Sequence, residues 1–133
     1  MRLLILVAGL SLVAGGEPAH ARDARTVFGP WAGDMTQHDP AGPRTYPVSM
    51  ELLQGGGTTT YHSLKCGGRL TRIDSTKDGY TIYRETITHG GVRQGVAKGC
   101  IDGIITVVRS GQRLALGWFA ADGDQTEIGR AHV

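Results

Sequence analysis

Long apolar segments are almost absent from this 133-residue chain. The longest, residues 3–14, is shorter than the roughly 20 apolar residues that a transmembrane helix requires. Blocks of one charge are absent as well, because the formal net charge is +2 and acidic and basic residues are interspersed. Proteins that bind nucleic acid need clustered Lys and Arg to neutralise phosphates. We therefore expect no nucleic-acid partner.

Catalytic motifs and metal-ligand spacings are also missing. No serine stands in a Gly-x-Ser-x-Gly turn. His38, His62 and His89 lie on three separate segments, without the close spacing of zinc ligands. The carboxylates of residues 122–127 could hold calcium, but Asp-Gly-Asp is first of all a turn sequence. We expect no metal and no cofactor.

The first 21 residues have the features of a secretory signal peptide. Arg2 supplies a basic start, residues 3–14 supply the apolar region, and Ala19 and Ala21 are the small residues that precede a cleavage site. No cysteine stands directly after the apolar region, at residues 15–25, so we expect no lipid anchor. An N-terminal membrane anchor is the less favoured alternative. The expected mature protein, residues 22–133, is soluble and secreted, periplasmic or otherwise extracytoplasmic.

Only two cysteines are present, Cys66 and Cys100. An exported chain meets an oxidising compartment, so these residues predict one intramolecular disulfide. Two free buried thiols are the alternative. In the chain-entropy model, closing this loop adds roughly 3–4 kcal/mol to the free energy of unfolding.

No segment after the signal shows an apolar stripe of helical period. Residues 46–52 instead alternate apolar and polar side chains, which is typical of a half-buried strand. The 21 glycines fall between such stretches and indicate turns. We expect an all-β fold, an antiparallel meander of about eight strands that closes into an up-and-down β-barrel, with a two-sheet sandwich as the alternative. The predicted strands lie around Trp31, in residues 46–52, 58–64, 69–73, 80–87, 103–109 and 113–119, and around Ile128.

The domain organisation is simple. Residues 22–43 contain several prolines and are expected to be irregular, apart from one short strand around Trp31. Residues 44–133 form the β-barrel, and both parts belong to a single domain. Paired glycines at Gly67 and Gly68 predict a bulge or a sharp bend.

Two charged neighbours in the strand 80–87 suggest a functional or structural site. Arg84 and Glu85 point to opposite faces, so one of them is directed inward. A buried carboxylate must be paired or hydrogen-bonded. We expect Glu85 to form an internal ion pair with Arg69, Arg72 or Arg109, and a ligand-binding carboxylate is the alternative.

The candidate binding residues are Arg84 and Glu85 together with Trp31, Trp118 and Arg93. Tryptophan in a small barrel is usually part of the core and sometimes the floor of a binding site. Arg93 stands in a polar, glycine-rich loop, residues 88–98, that could reach toward a partner.

A series of motifs extends through nearly the whole mature chain: Trp31-x-Gly33, Tyr46-Pro47-Val48, Tyr61 before Cys66-Gly67-Gly68-x-Leu70, Tyr83-x-Glu85-x-Ile87, Cys100 before Gly103-x-Ile105, and Leu116-x-Trp118. This series resembles a small extracytoplasmic β module of actinobacteria, which occurs as free secreted proteins or attached to the outer-facing end of some serine/threonine protein kinases. The resemblance implies a stand-alone sensor-like or binding domain. It does not imply kinase chemistry, since the chain has neither a phosphate-binding glycine loop nor a catalytic loop.

The function expected from the sequence is non-catalytic binding outside the cytoplasmic membrane, by a monomer, of an unknown protein or cell-envelope ligand. A secreted inhibitor of a hydrolase such as lysozyme is the first alternative, with residues 88–98 as its probe. A small cell-envelope hydrolase that pairs carboxylates such as Glu51 and Glu85 is the second.

Overall fold

The structure, a computed structural model, describes residues 26–39, 41–121 and 127–133, with Glu127 described for its backbone only. Eight strands make up most of this part of the chain. They are β1 (Gly29–Asp39), β2 (Gly42–Leu52), β3 (Gly56–Tyr61), β4 (Cys66–Ser75), β5 (Thr81–His89), β6 (Gly103–Ser110), β7 (Arg113–Ala120) and β8 (Glu127–His132). The predicted signal peptide and the turn at residues 122–124 lie outside the described residues.

Each strand pairs antiparallel with the next one in the chain, and β8 pairs with β1 to close the barrel. The predicted up-and-down barrel is confirmed, and the sandwich alternative is wrong. Closure gives each of the eight strands a partner on both sides over part of its length, so little sheet edge remains for other chains to pair with. We call the end with the β1–β2, β3–β4, β5–β6 and β7–β8 connections the mouth, and the opposite end the closed end.

The two N-terminal strands are longer than the sequence indicates. Residues 22–43 were expected to be irregular, with a short strand around Trp31, but β1 and β2 have eleven residues each and pair along their full length. Pro30 lies at the start of β1, and Pro43 lies in the part of β2 that precedes its pairing with β3 at Ser49. A proline is tolerated where one side of a strand has no partner, so these prolines do not interrupt the barrel.

The barrel interior between the closed end and Glu85 is mainly apolar, with Thr81 and the buried guanidinium of Arg109 as polar exceptions. At the closed end, the indole N–H of Trp31 donates to the carbonyl of Val27 at 2.7 Å, and the guanidinium of Arg109 lies 5.3 Å from the Trp31 ring centre. Val27 and Trp31 belong to one cluster of buried side chains that also includes Met35, Val48, Met50, Leu52, Leu70, Tyr83, Ile105, Val107, Leu114 and Leu116.

One covalent bond strengthens the mouth. Cys66, at the start of β4, is bonded to Cys100 in the β5–β6 loop, with their Cα atoms 6.3 Å apart, which confirms the predicted disulfide. Next to it, the register of β4 against β5 shifts between Gly67 and Gly68, which confirms the predicted bulge. A Cβ at Gly68 would lie 2.5 Å from the carbonyl oxygen of Thr86, so the bulge has no room for a side chain there.

Among the described residues, no helix is both long and apolar enough to span a membrane.

Candidate functional site

A buried carboxyl group, that of Glu85, interrupts the apolar packing of the interior. The side chains of β5 that point inward are Thr81, Tyr83, Glu85 and Ile87, and Glu85 is only 1% exposed. Tyr83 below it belongs to the apolar core. Strand alternation therefore directs a carboxylate into the barrel just above the core.

Three neutral donors hold this carboxylate. The hydroxyls of Thr59 and Tyr61 donate to Oε2 at 2.6 and 2.7 Å, and the indole N–H of Trp118 donates to Oε1 at 3.0 Å. The side chains of Thr59 and Tyr61 both point inward from β3. The side chain of Trp118 points inward from β7, on the opposite side of the barrel. The three bonds fix both carboxylate oxygens in position.

Burial dominates the electrostatics of the site. Loss of hydration raises the pKa of Glu85 above its ordinary value of 4.5, while the bonds from Thr59, Trp118 and Tyr61 act in the opposite direction. Burial also raises the pKa of Tyr61 well above 10.0, so its hydroxyl remains protonated and donates to Glu85. Tyr46 behaves in the same way, and its pKa is raised to about 12, chiefly by burial.

Gly103 gives Trp118 its position. The two residues lie on adjacent strands, and a Cβ at Gly103 would be 2.4 Å from both Cε2 and Nε1 of the indole. The ring therefore packs directly on the backbone of Gly103. This contact places the indole N–H within reach of Glu85, which is itself paired across β5 and β6 with Gly103.

A cavity of about 260 Å³ connects Glu85 with the mouth of the barrel. Aromatic rings and aliphatic side chains form most of its wall, and polar or basic residues stand near its opening. The residues that line it are Gln37, Arg44, Tyr46, Tyr61, Leu64, Glu85, Ile87, Lys98, Gly99, Cys100, Ile101, Trp118 and Ile128. Ligand pockets in the mouths of β-barrels have this composition, a mainly apolar wall with a few converging polar groups.

The opening of the cavity is positively charged. Arg44 forms an exposed salt bridge with Asp39 at 3.4 Å and lies 5.8 Å from the centre of the Tyr46 ring. The Tyr46 hydroxyl donates to Oε1 of Gln37 at 2.9 Å, which fixes this ring in the wall. Lys98 is exposed beside the opening. The inner end of the cavity thus carries a carboxyl group, and its outer end carries cations.

The β5–β6 loop is folded against the barrel. The side-chain amide of Gln94 accepts from the N–H of Gly91 at 2.9 Å and donates to the carbonyl of Ile87 at 3.0 Å. Arg93 forms a salt bridge with Asp102, and Asp102 also accepts from the N–H of Ile87 at 2.8 Å. Together with the disulfide, these contacts hold the loop as one side of the mouth.

Of the five candidate binding residues, the structure brings together only Glu85 and Trp118. Trp31 lies at the closed end. Arg84 is exposed on the outer face of β5, and Arg93 belongs to the supporting contacts of the loop.

The expected ion pair of Glu85 is wrong. Within residues 26–39, 41–121 and 127–133, no cationic side chain forms a salt bridge with Glu85. Arg69 is exposed, and Arg72 donates to the carbonyl of Gln54. Arg109 lies about 20 Å farther along β6 than the residue that faces Glu85, at roughly 3.3 Å per residue. Its distance along the strand, which strand alternation alone does not reveal, prevents the pairing.

Thr59, Tyr61 and Tyr46 also belong to the site. Tyr46 and Tyr61 occur in the motif series given above, but no pattern in the sequence marks any of the three as a binding residue. Side chains point to alternate faces along each of these strands, so the inward direction of the three residues could be predicted from the sequence. Their meeting with Glu85 depends on barrel closure and register, which the sequence pattern does not specify.

The described residues contain no cluster of three or more metal-ligating side chains. The possible calcium ligands at residues 122–127 lie outside the part of the chain whose side chains are described. A comparison with known proteins found no matching family model, no matching curated protein and no matching solved structure.

Proposed function

We propose that this chain is an extracytoplasmic, non-catalytic binding protein, sensor-like in its role, that captures a small ligand in the mouth of its barrel. The observation that supports this proposal most directly is the cavity above Glu85. Burying a carboxylate at the inner end of an open cavity costs free energy of folding, even where three hydrogen bonds hold it. Such polar groups are typical of sites where they fix the orientation of a ligand.

The same geometry favours binding over hydrolysis. A glycosidase of the usual kind needs two carboxylates on either side of the scissile bond. Glu51 alternates with the inward residues Met50 and Leu52 of β2, so it points away from the cavity that contains Glu85. The other carboxylate near Glu85, Asp102, is engaged by Arg93 and a backbone N–H.

Export is part of the proposal. The signal-like start of the chain predicts it, and the disulfide between Cys66 and Cys100 is compatible with an oxidising compartment. The resemblance to extracytoplasmic β modules of actinobacteria supports the same location and a binding role.

Two isoleucines of equal exposure provide a test. Ile101 lines the opening of the cavity and is 49% exposed, whereas Ile73 on β4 is 47% exposed and remote from the cavity. Native mass spectrometry would compare the mature wild type, Ile101→Trp and Ile73→Trp after incubation with a low-molecular-mass extract of the producing culture. We expect the wild type and Ile73→Trp to gain the same bound mass, and Ile101→Trp to lose at least about nine-tenths of it. Equal capture by Ile101→Trp would contradict a site in the mouth.

One observation favours inhibition of a hydrolase as the second candidate. Val92 and Val96 are exposed apolar side chains on the rigid β5–β6 loop, and a preorganised loop loses little entropy on insertion into an enzyme cleft. An inhibition assay against a panel of muramidases would test it, with Val92→Asp as the variant and Leu53→Asp, at the closed end, as the control. Inhibition that is abolished only by Val92→Asp would support the inhibitor. A lack of inhibition across the panel would exclude muramidases as targets.

A further inference from the structure

No cationic side chain of the described residues pairs with the carboxylate of Glu85, although this carboxylate is almost fully buried. Its three donors are two hydroxyls and one indole N–H, all neutral. Oε2 accepts two hydrogen bonds and Oε1 accepts one, so Oε1 retains capacity for another donor. Since Glu85 lines the cavity, a ligand can reach this group.

The wall next to Glu85 suits a cation. Tyr46, Tyr61 and Trp118 present aromatic rings to the cavity, and aromatic faces attract ammonium groups, most strongly where water is excluded. A ligand with a carboxylate at the inner end would place a second negative charge beside Glu85. A neutral ligand would leave the buried charge without compensation.

The opening has the opposite preference. Lys98 and Arg44 lie there, and Asp39 neutralises only one of them. These cations oppose a ligand that carries nothing but positive charge and favour one with an anionic group at its outer end. The volume of about 260 Å³ falls just below the usual range of roughly 300–1,000 Å³ for ligand pockets, so the ligand is small.

We propose that the cavity binds an amino-acid-sized zwitterion, with its ammonium group on Glu85 and its carboxylate directed toward Lys98 at the opening. The apolar wall formed by Leu64, Ile87 and Ile128 receives its side chain. This inference rests on the proposed binding function and adds the chemical class of the ligand.

Three related compounds separate the two charges of such a ligand. Leucine carries both, isoamylamine lacks the carboxylate, and isocaproate lacks the ammonium group. Isothermal titration calorimetry at neutral pH should show the tightest binding for leucine. Isocaproate, which lacks the ammonium group, should bind at least about 30-fold more weakly than leucine, because it leaves the buried charge of Glu85 unpaired. Loss of the carboxylate should weaken binding only several-fold, and less at high salt, because the opening is exposed.

Variants assign these effects to residues. Glu85→Gln should abolish the preference for leucine over isocaproate, whereas Glu51→Gln, which removes a carboxylate outside the cavity, should leave it unchanged. Lys98→Met should remove the advantage of leucine over isoamylamine. Because Glu85→Gln could impair folding, the wild type is also followed by NMR. Leucine should shift the indole N–H signal of Trp118 and leave that of Trp31 in place.

Two results would overturn the proposal. One is binding of isocaproate as tight as that of leucine. The other is failure of leucine, phenylalanine and methionine, in both chiral forms, to bind the wild type. If the culture extract still supplied a compound that binds the wild type but not Ile101→Trp, the binding function would stand and only the ligand class would fall. If Ile101→Trp bound as well as the wild type, the binding function itself would fail.

Discussion

At the residue scale, Glu85 is the side chain whose placement demands an explanation. Burying a carboxylate costs free energy unless hydrogen bonds or an opposite charge replace its hydration. Here Thr59, Tyr61 and Trp118 supply the hydrogen bonds, and no opposite charge is supplied by the described residues. The compensation is therefore partial, which is consistent with a group kept for binding at some expense to stability.

This partial compensation predicts a particular pH dependence. The pKa of Glu85 is raised in the folded protein, so between 4.5 and the folded pKa the folded state holds more protons than the unfolded state. Stability contributed by this group is present at low pH and is lost as the pH rises through the folded pKa, by at most about 1.4 kcal/mol per pH unit. The Glu85→Gln variant has no titratable group at this position, so it should not show this loss of stability.

The measurement is chemical denaturation of the wild type and Glu85→Gln from acidic to neutral pH. As the pH rises, the free energy of unfolding of the variant should increase relative to that of the wild type. The neighbouring groups Tyr46, Tyr61 and Asp102, and the cations Arg44 and Lys98 at the opening, are present in both proteins and cancel in the difference. Glu51→Gln is the control for net charge. If the free energy of unfolding of the variant instead decreased relative to that of the wild type as the pH rises, Glu85 would have to be salt-bridged.

The sequence indicated part of this residue-scale result. Alternation in β5 showed that either Arg84 or Glu85 must point inward, and Glu85 does. The identity of its partners could not be predicted, because Thr59 and Trp118 approach it only after closure of the barrel. Arg69, Arg72 and Arg109 lie on strands next to β5, and only the assembled barrel shows that none of them pairs with Glu85.

At the element scale, most strands follow directly from period-2 patterns and glycine-rich turns. β5, β6 and β7 lie within a few residues of their predicted bounds. The exceptions are β1 and β2, where proline was expected to prevent pairing, and residues 62–64, which turn into a short 3-10 segment. For β1 and β2 the outcome depends on which side of a strand has a partner, which is a property of the assembled sheet.

One prediction concerns the contact between β6 and β7. Gly103→Ala would push the indole of Trp118 off the barrel wall, since a Cβ there meets two ring atoms at 2.4 Å. We expect the free energy of unfolding to fall by about 1–3 kcal/mol, as in other overpacked sites. Gly55→Ala, where a Cβ meets no atom within 4 Å, is the control and should be nearly neutral. A Gly103→Ala variant as stable as the control would contradict the packing of the indole on β6.

A second prediction concerns the disulfide that joins β4 to the β5–β6 loop. Replacing Cys66 and Cys100 together by serine should lower the free energy of unfolding by about 3–4 kcal/mol, since the bond restricts the unfolded chain. Denaturation of the oxidised protein and the double variant measures this difference. A thiol titration of the denatured, unreduced protein should find no free thiol, and two reactive thiols would contradict the bond.

At the scale of the whole molecule, the two ends of the barrel differ in character. The closed end is filled by Val27, Trp31 and the apolar cluster, with the guanidinium of Arg109 against the Trp31 ring. The mouth contains a cavity, a buried carboxyl group and a disulfide-bonded loop. The buried cluster thus fills the closed half of the barrel and extends to Tyr61 and Cys66 in the other half, where the cavity lies.

Glu85 is a buried carboxyl group at the inner end of this cavity, and none of the cationic side chains that the structure describes pairs with it. The chain contains two tryptophans, and their indole N–H groups report on it separately. Trp118 donates to the Glu85 carboxylate, whereas Trp31 donates to a backbone carbonyl, which does not titrate. A pH titration followed by the two indole ¹H–¹⁵N signals of the wild type should move the Trp118 signal with a midpoint above 4.5 and leave the Trp31 signal in place. A Trp118 signal that does not titrate, or that titrates below 4.5, would contradict this placement of Glu85.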